Sequence, residues 1–117
     1  MAAGEHNITI EQGATFQMPI TWSTGVTPTP VNLTGYTARM HVRKTHASDT
    51  AVLTLTTENG GITLGGALGT IAILATATQT ATITIKSGVY DLELVSGGGT
   101  VTRLLEGSVT ITPEVTR

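Results

Sequence analysis

The chain has no cysteine among its 117 residues, which removes disulfides, thiolate metal ligands and a cysteine nucleophile together. Packing and ladder hydrogen bonds must hold the core. Charge is scarce as well. Asp, Glu, Lys and Arg make up 12% of the chain, about half the share usual in soluble domains. Eight acidic against six basic residues give a formal net charge of −2, which argues against nucleic-acid binding by counterion release. One Trp, one Phe and two Tyr are the only aromatics, too few for the stacking platforms of a sugar- or single-strand-binding surface. No apolar run approaches the roughly 20 residues that a membrane-spanning helix requires. The start Met1-Ala2-Ala3-Gly4-Glu5-His6 lacks the basic and apolar regions of a secretion signal, so synthesis in a cytoplasm is expected.

Threonine is abundant. It suits a pleated, half-buried surface, because its branched Cβ favours extended backbone and its hydroxyl tolerates water. Phe16, Met18, Ile20 and Trp22 alternate with Thr15, Gln17, Pro19 and Thr21, the period of a strand with one buried face. Pro19 cannot donate to a ladder, so it marks an edge or a bulge. Residues 23–30 hold two prolines and a glycine and read as a loop. Tyr36, Ala38, Met40 and Val42 alternate with Thr37, Arg39, His41 and Arg43, which predicts a strand with a basic outer face.

Ala51 to Thr57 predicts a strand. Asn59-Gly60 is a hairpin signal, since both residues tolerate the positive φ of a type I′ turn, with Ile62 to Leu64 as the return strand. Residues 75–82 suit either a helical turn or a continued strand; a short helical turn or loop is the expectation. Two long strands close the chain. One carries Tyr90, Leu92 and Leu94 inward, and the other, Thr100 to Thr112, is expected to place Val101, Leu105, Val109 and Ile111 on one face. The fold class that follows is all-β: an antiparallel β-sandwich, immunoglobulin-like or related, with about seven to nine short strands and a long C-terminal hairpin. A small closed barrel is the alternative. Residues 1–117 are read as one domain, with residues 1–6 as a flexible N-terminal arm.

Candidate chemistry is sparse. His41 and His46 are five apart and on a straight strand point to opposite faces, so they do not share a metal unless a turn after Lys44 brings them together. Asp91 and Glu93 share an outer face and Glu106 lies on the outer parity of the neighbouring strand; exposed hairpin positions explain them better than a glycosidase pair or a calcium site. Arg103 falls on the inner parity, where it either ends the buried stretch or pairs with one of these carboxylates. The glycine-rich run 60–69 lacks the Gly-Lys-Ser/Thr of a phosphate loop. No catalytic, metal or cofactor site is expected, and no enzyme.

Four strings carry a resemblance: Ile8-Thr9-Ile10-Glu11-Gln12-Gly13-Ala14-Thr15-Phe16, Val31-Asn32-Leu33-Thr34-Gly35-Tyr36-Thr37-Ala38-Arg39-Met40-His41-Val42-Arg43, Tyr90-Asp91-Leu92-Glu93-Leu94 and Leu105-Glu106-Gly107-Ser108-Val109-Thr110-Ile111. In order and spacing the chain resembles small β-sandwich virion proteins of tailed bacteriophages, including the N-terminal domain of baseplate upper proteins. The resemblance implies a non-enzymatic virion component in several symmetric copies, a tail, baseplate or fibre connector or a capsid decoration. Its partners would be other virion proteins and copies of itself, without nucleic acid, membrane or cofactor. Exposed strand edges and Thr-rich faces are the expected means of association. Candidate contact residues are Arg39, His41 and Arg43 on the outer strand face and Ala2, Ala3, Gly4, Glu5, His6 and Asn7 in the N-terminal arm. An adhesion or carbohydrate-binding immunoglobulin-like module is the alternative.

Overall fold

In the computed structural model, which describes residues 4–25, 27 and 29–115, the alternating segments become two facing sheets. In chain order the strands are β1 (Gly4–Glu5), β2 (Ile8–Glu11), β3 (Phe16–Thr21), β4 (Ser23–Thr24), β5 (Thr29–Pro30), β6 (Thr37–Arg43), β7 (Leu53–Thr56), β8 (Ile62–Leu64), β9 (Thr70–Ala75), β10 (Ser87–Val95) and β11 (Val101–Thr112). One helical turn, α1 (Ala77–Ala81), precedes β10. The large sheet runs β11-β10-β6-β7, with β1 and β2 both on the far side of β11; the small sheet runs β3-β9-β8. The all-β sandwich read from the sequence is the observed fold.

Alternation builds the core. In β6 Ala38, Met40 and Val42 are buried while Arg39 faces out, and in β10 Tyr90, Leu92 and Leu94 are buried. The small sheet contributes Ile71, Ile73 and Ile62 from the other side, with Phe16, Met18, Ile20 and Trp22 half-buried against them. Trp22 meets Tyr36 edge to face, with ring centroids 6.3 Å apart.

Several details differ from the alternation rule. Gly4, Glu5 and His6, expected in a flexible arm, form an edge strand with β2. Gly4 lies opposite Leu105 and Ile8 opposite Val109 in one constant register, and the pairing is parallel rather than antiparallel. Ala2 and Ala3 lie outside the described residues. Residues 23–30, read as a loop, include a short antiparallel pairing of Ser23 with Pro30 and Thr24 with Thr29.

The C-terminal hairpin contains a bulge. Leu92 pairs with Leu105 but Glu93 with Arg103, so Leu104 is an extra residue on β11. One inserted residue reverses the side-chain parity of everything before it. Val101 is consequently 50% exposed instead of buried, and Arg103 stands on the outer face.

Asn59-Gly60 does not close a hairpin. β7 pairs with β6 in the large sheet and β8 with β9 in the small one, so residues 57–61 are a corner between sheets. Gly60 has φ of 82° but no non-glycine residue has positive φ among those described, which excludes the type I′ turn. The Asn59 side chain holds the corner instead, accepting from Thr56 N (2.9 Å) and Gly61 N (2.9 Å) and donating to Thr54 O (3.0 Å).

The helical turn at 77–81 agrees with the sequence reading. Thr76 and Gln79 form a reciprocal capping box at its start. Thr80, fully buried, accepts from Gly13 N (3.1 Å) and donates to Ala14 O (2.8 Å), tying the turn before β3 to this helix.

Candidate functional site

The outer face of the large sheet collects most of the charged side chains that the sequence placed in separate rows. Register sets Arg39 beside Glu93, His41 beside Asp91 and Arg43 beside Val89, while β11 adds Arg103 opposite Glu93 and Glu106 opposite Asp91. The face thus carries three arginines and three carboxylates, and two of the arginines, Arg39 and Arg103, make its ion pairs. Arg39 Nε donates to Glu93 Oε1 at 2.8 Å. Arg103 sits among Asp91 (3.5 Å), Glu106 (3.6 Å) and Glu93 (3.8 Å). The bulge at Leu104 makes this possible, since unbroken parity would turn Arg103 into the core.

Arg43 is held differently. Its Nη1 donates to Ser48 O (3.0 Å) and its Nη2 lies 3.3 Å from His41 Nδ1. The chain turns after Lys44, with Ser48 N donating to Thr45 O (3.2 Å), and this brings His46 to the same open depression as His41. About 270 Å³ in volume, it is also lined by Arg43, Asp91, Arg103 and Glu106. Among the described residues no group of three or more His, Cys, Asp or Glu is placed to hold a metal ion. With each carboxylate of the face already beside an arginine, the arrangement is a neutral ion-pair lattice on an open surface. Exposed pairs of this kind contribute about 0–1 kcal/mol each.

Of the N-terminal candidates, Gly4, Glu5 and His6 are engaged through the backbone and Asn7 through its side chain. His6 N donates to Glu106 O (2.9 Å) and Ser108 N donates to Asn7 Oδ1 (3.1 Å). The side chains of Glu5 and His6 are exposed. The buried Tyr90 phenol donates to His6 O and latches this strand from within the sandwich. Burial pushes the Tyr90 phenol up to about 12 from its ordinary value of 10.0, and only the protonated phenol can donate. The resulting stability is therefore fully present below pH 10 and is lost as pH rises towards 12. Urea midpoints at pH 9 and pH 11 should fall steeply for the wild type. Tyr90→Phe should be weaker by about 1 kcal/mol at pH 7 but should lack this share of the alkaline loss; an equal alkaline fall in both would refute the latch.

Sheet edges, the other expected means of association, are obstructed at two places. Trp22 N donates to Gly69 O (2.9 Å), and the antiparallel alternation from there points the backbone groups of Ile20, Met18 and Phe16 at β9. Those of Gln17, Pro19 and Thr21 face the free edge of β3, where Pro19 offers no N–H. On β7 the backbone groups of Thr54 and Thr56 face outward, and Asn59 occupies two of them, Thr54 O and Thr56 N. Asn59→Ala should cost about 1–2 kcal/mol and also open an edge, seen as faster aggregation on heating than in an equally destabilised core variant. Unchanged stability and aggregation would contradict the edge-capping role.

The small sheet is the opposite of the charged face. Residues 12–38 and 59–85 contain no Asp, Glu, Lys, Arg or His, and they include β3, β4, β5, β8, β9 and α1. The exposed residues of the small sheet's outer face are Gln17, Pro19, Thr21, Thr63, Thr70 and Ala72. Sequence reading registered the low charge but not its location, because the two uncharged runs meet only through the topology.

No protein-family model matches this chain, and no curated protein matches it in sequence.

Proposed function

We propose that this chain is a non-enzymatic structural protein of a tailed-phage virion, present in several copies and joining tail, baseplate, fibre or capsid subunits. The observation that carries the structural part of this reading is the division of its surface. One half of the sandwich is free of charge, and on the outer face of the large sheet Arg39 and Arg103 are paired with Asp91, Glu93 and Glu106. Charged residues are depleted where protein interfaces are fully buried, so the uncharged half suits cover by neighbouring subunits. The phage destination rests on the four strings that resemble virion β-sandwich proteins. Those strings fall on β2, β6, β10 and β11, the framework of the large sheet, and on the segments leading into them.

An epitope-tagged copy, expressed during phage growth in the host that carries the gene, should band with intact particles in a density gradient and resist a high-salt wash. Recovery only in the soluble fraction would refute the reading.

A further inference from the structure

We infer that Asn59 is a chemical modification site: the amide that caps the β7 edge deamidates through the Gly60 nitrogen when the corner at residues 57–61 opens, and the product cannot restore the cap.

An asparagine loses its amide when the backbone nitrogen of the next residue attacks Cγ. The N–Cγ bond forms, the Cγ–Nδ2 bond breaks and ammonia leaves, which closes a five-membered succinimide ring between the two residues. Water then opens the ring at either carbonyl. One opening gives aspartate. The other gives isoaspartate, in which the main chain runs through the former side-chain carbon. The attack is easiest beside glycine, where no Cβ crowds the nitrogen and the backbone rotates freely. Gly60 is exposed, and nothing lies within 4 Å of the place where its Cβ would be. The chain's other two asparagines, Asn7 and Asn32, precede Ile8 and Leu33, whose side chains shield the attacking nitrogen.

The closed corner opposes this reaction. Asn59 Oδ1 accepts from Thr56 N and Gly61 N, Nδ2 donates to Thr54 O, and Asn59 N donates to Thr56 Oγ1 (3.0 Å). For the ring to form, Cγ must swing onto the Gly60 nitrogen, which draws Oδ1 away from Thr56 N. Nδ2 must also leave Thr54 O. Each bond that has to break first lowers the fraction of molecules able to react.

The product fails at the edge itself. Aspartate keeps two acceptors but has no donor for Thr54 O, and its charge stands against that carbonyl and beside Glu58. Isoaspartate adds a main-chain carbon before Gly60. The corner has no room to absorb it inward, because Gly61 is buried and a Cβ there would lie 2.7 Å from Leu55 Cδ2. Both products release Thr54 O on the outer side of β7, where an unpaired strand edge invites another chain.

The test follows the intact chain by peptide mapping and mass spectrometry at mildly alkaline pH, folded and in guanidinium chloride. In denaturant Asn59 should convert to a mixture of aspartate and isoaspartate well ahead of Asn7 and Asn32. In the folded protein the rate at Asn59 should be at least ~10-fold lower, equivalent to about 1.4 kcal/mol of opening cost. Thr56→Val removes the Oγ1 acceptor while keeping the branched shape. It should speed the folded-state reaction about 5-fold, the share of one hydrogen bond, and leave the rate in denaturant unchanged. Deamidated chains, separated by their added negative charge and refolded, should aggregate on heating faster than unmodified chains treated alike. An Asn59 no more reactive than Asn7 and Asn32 in denaturant would overturn the site. Equal rates folded and unfolded, or no acceleration in Thr56→Val, would overturn the protection by the corner. Unchanged aggregation of the deamidated chain would overturn the loss of the cap.

Discussion

Leu92→Ala is expected to destabilise the fold by about 2–5 kcal/mol, a large part of the 5–15 kcal/mol that typically holds a domain together. Leu92 is fully buried on the central strand β10, between Met40 on β6 and Leu105 on β11. Truncation leaves a cavity where both sheets meet, and strands paired on either side cannot collapse into it independently. Val101→Ala on the neighbouring strand should change stability by less than ~0.5 kcal/mol, since its side chain is half exposed. The pair tests the bulge as well as the core. If Val101→Ala costs as much as Leu92→Ala, β11 keeps unbroken parity and Arg103 is not where the ion-pair lattice requires it. Urea denaturation of both variants measures this directly.

Gly107→Val should detach the N-terminal strand. A Cβ at this position would lie 2.4 Å from His6 O and 2.8 Å from His6 C, against a backbone that is itself fixed to β11. The strand must move, and with it the burial of Ile8 and Ile10, worth about 1.5–3 kcal/mol each. The expected result is a loss of roughly 3 kcal/mol or more, together with rapid amide exchange and early proteolysis confined to residues 4–11. Gly98→Ala is the matched control, because nothing lies closer than 3.9 Å to its added Cβ. A Gly107→Val protein with a protected N-terminal strand would contradict the placement of β1 and β2.

Both predictions involve features only partly legible in the sequence. The strand identities were legible, because Tyr36 to Arg43 and Tyr90 to Val95 alternate without interruption and each has one uniformly apolar row. Pro19 was legible as an edge or bulge residue, since it cannot donate to a ladder, and the topology makes it an edge. The bulge was not. Leu104-Leu105 offers two apolar neighbours for one inward position, and only the partner strand decides which of them goes in. Asn59-Gly60 misled for a related reason: a turn signal reports that the chain reverses, not whether the next strand returns to the same sheet. Three residues upstream, Thr56 shares reciprocal bonds with Asn59, a local pattern that fits an asparagine-held corner as well as a hairpin.

The charged face was half legible. Parity alone assigned Arg39, His41 and Arg43 to one outer row and Asp91 and Glu93 to another. Their neutralisation depends on β6 and β10 being adjacent, a long-range pairing that no local rule supplies. The N-terminal edge strand lay furthest from reach, because Gly4-Glu5-His6 has no strand signal of its own. Its order comes from β11 and from the Tyr90 phenol beneath it. Tertiary context supplies what the local sequence lacks.

Absolute quantification of this polypeptide in gradient-purified particles, scaled to the major capsid protein, tests the structural role most directly. The expected result is a fixed copy number that matches a symmetry of the particle. Absence from particles, or a trace amount that varies between preparations, would contradict it.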